Sequence, residues 1–212
     1  MQIVDFTVDH IKAAVQLAKQ NYEDERSFVP ALPPVDKMLD LNLYAENGLG
    51  VAVFEEGTMI GFLCSVPPFK NAFRSTHATG VFSPMGANGV NGENRAKIYA
   101  RMYQAAGEKW VRAGASSHAV CLYVHDKEVQ EQFFRYGFGL RCVDAIRGME
   151  EIIVTPCEGY SFSELAPKEI LEVLSLENML NESYIDSPFF MYRAKEGQAG
   201  FLKQYEHLQS FY

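Results

Sequence analysis

The chain has 212 residues, 48% of them apolar and 22% charged, enough apolar material for one sizeable core without cross-links. Its formal charge of −8 argues against nucleic acid or an anionic membrane surface as the main partner. Cys64, Cys121, Cys142 and Cys157 make no CxxC pair, MQIVDFTVDH lacks a secretory pattern, and no apolar run reaches about 20 residues, so a cytoplasmic protein without a membrane span is expected.

Residues 3–6 (IVDF) predict a short strand, and Ile11, Ala14, Val15 and Ala18 predict a one-faced helix with Asp9 placed to cap it. The three prolines of FVPALPP break that pattern, and a second helix is expected over Val35–Glu46, stopped by Asn47-Gly48. Two strands follow at 50–56 and 58–69, joined at Gly57, with Pro67 and Pro68 interrupting the end of the second. THATGVFSPM predicts a fourth strand, and a glycine-rich stretch, FSPMGANGVNGENRAK (82–97), leads into a long helix beginning near Glu93. Tyr99, Met102, Tyr103, Ala106 and Trp110 mark that helix's apolar face. SSHAVCLYVHD (116–126) reads as a central strand, DKEVQEQFFRYG as a helix stopped by Gly137, and 138–154 as one or two closing strands. Residues 156–165 read as a linker before a helix from Pro167 to about Ser183. Ser187-Pro188 introduces a last helical run, in which Phe201, Tyr205, Leu208 and Tyr212 form an apolar stripe that needs a cover.

The stretch YVHDKEVQEQFFRYGFG (123–139) resembles a segment of the GNAT superfamily of acyl-CoA-dependent N-acyltransferases. Many members read N-x-x-A-x-x-x-Y-x-x-x-G-F there, and the same spacing holds Asp126, Val129, Phe133, Gly137 and Phe138. The order of predicted elements over about residues 1–150 is also similar. The resemblance implies an α/β fold, a GNAT-like mixed central sheet flanked by helices, at 1–154, with a linker and helical extension at 155–212. That extension is similar to the hinge of tandem GNAT-domain proteins. The implied activity is transfer of an acetyl or other acyl group from acetyl-CoA, as co-substrate, to a small-molecule or peptide amine. The alternative is a catalytically silent GNAT-fold acyl-CoA-binding sensor or scaffold acting through an oligomer. A homodimer through the C-terminal helices is the expected assembly.

Site residues follow from the same resemblance. The backbone of Val81 and Phe82 would pair with the pantetheine arm in an opening where the fourth and fifth strands splay apart. The glycine-rich stretch would hold the pyrophosphate through Gly86, Gly89, Gly92, Asn94 and Arg95, because free N–H groups at a helix N-terminus attract anions. Against the family's [QR]-x-x-G-x-[GA] loop, one register agrees only at Gly92. The other puts Gly89, Gly92 and Asn94 at the three key positions, without the Gln or Arg side chain. Asp126 and Phe133 would border the cofactor, with Phe133 where many members carry the tyrosine that protonates the departing thiolate. A phenyl ring cannot donate a proton.

The candidates for proton transfer are His125, near the end of the predicted fifth strand, and Tyr136, the phenol nearest Phe133. His118 is on the same strand, on the opposite face. The acidic run YEDER (22–26) would favour a cationic acceptor. No HxxxH or HxH pair, G-x-S-x-G elbow or GxxxxGK[ST] loop occurs, so no metal is expected.

Overall fold

The computed structural model describes residues 1–74, 78–151, 153, 158–161, 163–185 and 202–203. They fall into two compact units, Met1–Ala72 with His77–Gly148 and Phe73–Thr76 with Met149–Tyr212.

In the first unit, β1 (Gln2–Asp5), β2 (Val51–Glu55), β3 (Thr58–Leu63) and β6 (Asn88–Val90) form an antiparallel sheet in that order. A second set orders β4 (Phe69–Lys70), β5 (Thr79–Ser83) and β7 (Ser117–Val120), with β5 and β7 parallel. The two sets continue each other. Prolines 67 and 68, which carry no N–H, separate β3 from β4. A turn at Pro84–Ala87, closed by the Ala87 N–H on the Pro84 carbonyl at 3.0 Å, separates β5 from β6. Across the break, the Cys64 N–H donates to the Ala87 carbonyl and the Val66 N–H to the Phe82 carbonyl, both at 2.9 Å.

Strand alternation sorts β2 between two cores. Val51 and Val53 join Leu63, Val81 and Val90 beneath α3 (Arg95–Arg112), while Ala52 joins Phe62 and Cys64 beneath α1 (Ile11–Phe28). The helix α3 buries Ile98, Tyr99, Met102, Ala106 and Trp110, and the Trp110 indole N–H donates to the Leu49 carbonyl at 3.0 Å. The α1 stripe runs Ala14, Leu17, Ala18, Asn21, Glu25, so its last two buried members are polar. The short α4 (Lys127–Arg135) buries Val129 and Phe133.

Two expectations change. Instead of a helix over Val35–Glu46, only α2 (Asn42–Glu46) forms. The Asp40 carboxylate accepts from both the backbone N–H and the side-chain amide of Asn42, a local pairing that competes with helix before that point. Residues 138–148 form no strand. Their large apolar residues Leu140, Val143 and Ile146 recur at every third position, which gives a strand of period two no single face to bury, and all three are exposed. Among the described residues, β7 is therefore an edge strand.

His118, in β7, lies against Trp110 edge-on, with ring centroids 5.1 Å apart, and its Nδ1 is 3.0 Å from the Tyr103 hydroxyl. Burial pushes its pKa down. A depressed folded-state value means that the unfolded chain takes up the proton first. The neutral ring's contribution to stability is thus fully present above about pH 6.5 and is lost as pH falls through the lower folded value. Thermal unfolding at pH 7.5 and pH 5 checks this: His118→Gln should reduce the acid-induced fall in Tm seen in the parent chain.

In the second unit, a 3-10 segment Pro167–Val173 leads into α5 (Leu174–Ile185). Its start is fixed by reciprocal bonds between the Ala166 N–H and the Glu169 carboxylate, and between the Glu169 N–H and the Ala166 carbonyl. Ile170 is buried, and Leu176, Met179 and Leu180 are exposed. The Ser187-Pro188 run and the stripe at Phe201, Tyr205, Leu208 and Tyr212 lie outside the described residues.

Candidate functional site

The break in the sheet creates an opening. The last backbone bond between the parallel strands runs from the Cys121 N–H to the Ser83 carbonyl at 2.9 Å. Beyond it, among the described residues, no backbone-to-backbone hydrogen bond joins 121–126 to 84–90. Up to α4 the chain order of strand, α1, α2, hairpin, broken strand, α3 and parallel strand is the order the sequence resemblance implied, whereas the closing strands it also implied do not form over 138–148. Past Ser83 the broken fourth strand and the fifth share no backbone ladder. The fold is GNAT-like.

The GNAT-like opening is lined by polar side chains. The Asn88 amide donates to the Ser83 hydroxyl at 3.0 Å and to the Cys121 carbonyl at 3.1 Å, and its oxygen accepts the Tyr99 O–H at 2.8 Å. Ser83, Asn88 and Tyr99 are all buried. Burial pushes the Tyr99 phenol far above its ordinary value, so it stays protonated and serves as a donor. Tyr99→Phe leaves the Asn88 oxygen buried without that donor. Urea unfolding should report a loss of about 1–2 kcal/mol.

Across the mouth, the Arg95 Nε is 2.6 Å from the Asp126 carboxylate. The Arg95 Nη1 reaches the Val90 carbonyl, and its Nη2 lies 3.5 Å from the Asn21 amide oxygen. Asn21 itself donates to the Val90 carbonyl at 2.9 Å and accepts from the Val90 N–H at 3.0 Å.

On the α1 side, the His125 Nδ1 contacts the buried Glu25 carboxylate. The Phe28 ring stacks on the imidazole with centroids 4.7 Å apart and planes 5° apart, and Tyr123 follows at 6.2 Å. Burial, and then the negative charge of Glu25, pushes the Tyr123 phenol up to about 12. The His125 Nε2 makes no hydrogen bond among the described residues. Burial also pushes the Cys121 thiol up, opposed by a hydrogen bond from the Met85 backbone.

The other sequence-derived candidates are scattered by this geometry. Val81 and Phe82 pair with His118 and Ala119 of β7, so the outward edge along the break belongs to Asn88–Val90 instead. The three glycines serve three purposes. Gly86, at φ +84°, makes the Pro84–Ala87 turn and faces Leu39. Gly89 lies within β6, where a Cβ would meet the Asn21 oxygen at 3.0 Å. Gly92, at φ +83°, belongs to the exposed 91–94 loop, in which Asn94 is also left-handed at φ +60° and precedes the first turn of α3. Phe133 packs against Tyr99, Tyr103 and Phe138 with centroids 5.0–6.1 Å away, as a core ring. Tyr136 is partly exposed, and its hydroxyl accepts from Gln104 of α3 at 3.1 Å. His125 and Tyr136 thus have different helices as partners. Asn21, Asn88 and Tyr99 were not among the candidates, and Glu25 was named only as part of the acidic 22–26 run, not as a partner of His125. The α1 stripe, carried past Ala18 at helical spacing, lands on Asn21 and Glu25, and two polar residues on an apolar stripe are the signal.

No family model and no curated protein sequence matches the chain. Among solved structures, a mutant of the BH1408 protein from Bacillus halodurans is similar over 72% of this chain and 100% of its own, at 12% identity and a TM-score of 0.52. The TTHA1254 protein from Thermus thermophilus is similar over 72% and 100%, at 18% identity and a TM-score of 0.48. AAC(6')-Iy, solved with a bisubstrate analogue, is similar over 69% and 97%, at 14% identity and a TM-score of 0.46. Among the described residues, no helix is long and apolar enough to cross a membrane, and no cluster of three His, Cys, Asp or Glu groups could hold a metal ion.

Proposed function

We propose that the chain transfers an acyl group, acetyl in the simplest case, from coenzyme A to an amine, with His125 as the base. The observation that carries this reading is the His125–Glu25 contact beside the splayed strands. A carboxylate on Nδ1 favours the tautomer with the proton there, which leaves the Nε2 lone pair as an acceptor. A bound thioester supplies an already activated carbonyl. Amide formation requires the amine nitrogen to bond to the carbonyl carbon as the carbon–sulfur bond breaks. His125 takes the proton the nitrogen loses, and Glu25 stabilises the imidazolium and fixes its aim. That proton can then pass to the departing thiolate, for which Tyr136 remains the second candidate donor.

The exposed 91–94 loop and the start of α3 are the fitting place for the pyrophosphate, since the first N–H groups of an 18-residue helix have no partners within the helix. Gly92, Asn94 and the exposed Lys97 belong to that place, whereas Arg95 points its charge at Asp126. Glu25, together with Glu23 and Asp24, suits an amine that arrives as an ammonium ion. Calorimetric titration with acetyl-CoA, followed by thiol release with a panel of amines, tests the proposal. Absence of binding at millimolar ligand would sink it.

A second reading is favoured by the polar plug: Asn21 on the Val90 backbone, and Arg95–Asp126 across the mouth. On it, the chain is a GNAT-like acyl-CoA-binding sensor or scaffold acting through an oligomer, and acetyl-CoA binds without turnover for any amine. The homodimer through the C-terminal helices belongs to either reading, and light scattering on the whole chain tests it.

A further inference from the structure

In antiparallel pairing, alternate residues direct their N–H and C=O groups to the partner strand. The Cys64–Ala87 and Asn91–Ile60 bonds fix that phase for β6, so Gly89 faces β3 and Val90 turns its groups outward to the opening. The Asn21 carboxamide then bonds both groups of Val90, donor to acceptor and acceptor to donor. This is the pairing that one residue of an added strand would make. Asn21 is 3% exposed, and Gly89 is the residue that lets it lie there, because any side chain would press on the Asn21 oxygen.

We infer that Asn21 is an internal substitute for a ligand amide and sets which ligands can use this edge. The inference rests on the acyl-CoA reading above. A ligand that moves Asn21 aside leaves the Val90 N–H unpaired and its C=O with the Arg95 Nη1 alone, unless it brings both an acceptor and a donor in extended register. A secondary amide, as in the pantetheine arm, meets that condition, and a thiol, ester or bare alkyl chain does not. Asn21 is therefore a specificity-determining residue that lowers affinity for every ligand of the edge and penalises most those without an amide.

Titration of the whole chain with coenzyme A, and with adenosine 3′,5′-bisphosphate as a probe lacking the pantetheine arm, separates the outcomes. Asn21→Ala should bind coenzyme A about tenfold more tightly than the parent, as one competing two-bond contact is removed. The bisphosphate should bind both proteins equally. Because Asn21→Ala leaves the Val90 N–H unpaired and can weaken folding, the unmutated chain provides a second measurement. Its Asn21 side-chain amide protons should become fast-exchanging by NMR as coenzyme A saturates. Unchanged Asn21 signals at saturation, or unchanged coenzyme A affinity in the variant, overturn the inference and leave the acyl-CoA reading standing. If neither protein binds either probe, both fall.

Discussion

His125→Gln is expected to slow amine acylation by about a hundredfold to ten-thousandfold, the range for removing a positioned general base, with little change in acetyl-CoA affinity. Glutamine keeps a polar side chain of similar reach beside Glu25 but has no ring nitrogen able to take up a proton. Stopped assays of thiol release at saturating acetyl-CoA give kcat, and calorimetry gives the dissociation constant. Glu25→Gln should fall between the parent and His125→Gln, because the imidazole survives and loses only the group that orients it and stabilises its charge. A kcat unchanged by His125→Gln would remove His125 from the chemistry and favour the sensor or scaffold reading.

Arg95→Met is expected to destabilise the first unit by about 3 kcal/mol. Asp126 is only 9% exposed, and removing the cation leaves a largely buried carboxylate without its counter-charge. For a chain of this size, about 3 kcal/mol corresponds to a fall in Tm of roughly 6–12 °C. The double variant Arg95→Met with Asp126→Leu should recover much of the loss, since no buried charge is then unpaired. Calorimetric scans of the two variants and the parent check this. If the single variant lies within a degree of the parent, the ion pair does not contribute to the stability of the first unit.

Much of this molecule is legible in its residues. The helical face of Tyr99, Met102, Ala106 and Trp110, the hairpin at Gly57 and the glycine stop at Gly137 are short-range patterns, and they sit where the sequence reading puts them. The site was less legible because its parts come from distant segments. Glu25 and His125 are 100 residues apart, and Asn21 and Val90 are 69 apart. No local spacing announces such pairs. The glycine-rich stretch misled for a related reason. It reads as a single loop, yet Asn88–Val90 within it is a strand, because the carbonyl of Ala87 and the N–H of Asn91 find partners on the neighbouring strand. Phe133 shows the reverse case. Its motif position suggested the cofactor, and its aromatic neighbours place it in the core.

The interrupted strand has a mechanical consequence. Among the described residues, β4, β5 and β7 supply only Val81 to the fully buried large side chains, while β2, β3 and β6 supply all the others that come from strands. The two halves are stitched along the break by the Cys64–Ala87 and Val66–Phe82 bonds. Val81 nevertheless shares one core with Val51, Val53, Leu63 and Val90, so the β7 half is held to the rest by common apolar packing as well as by those bonds.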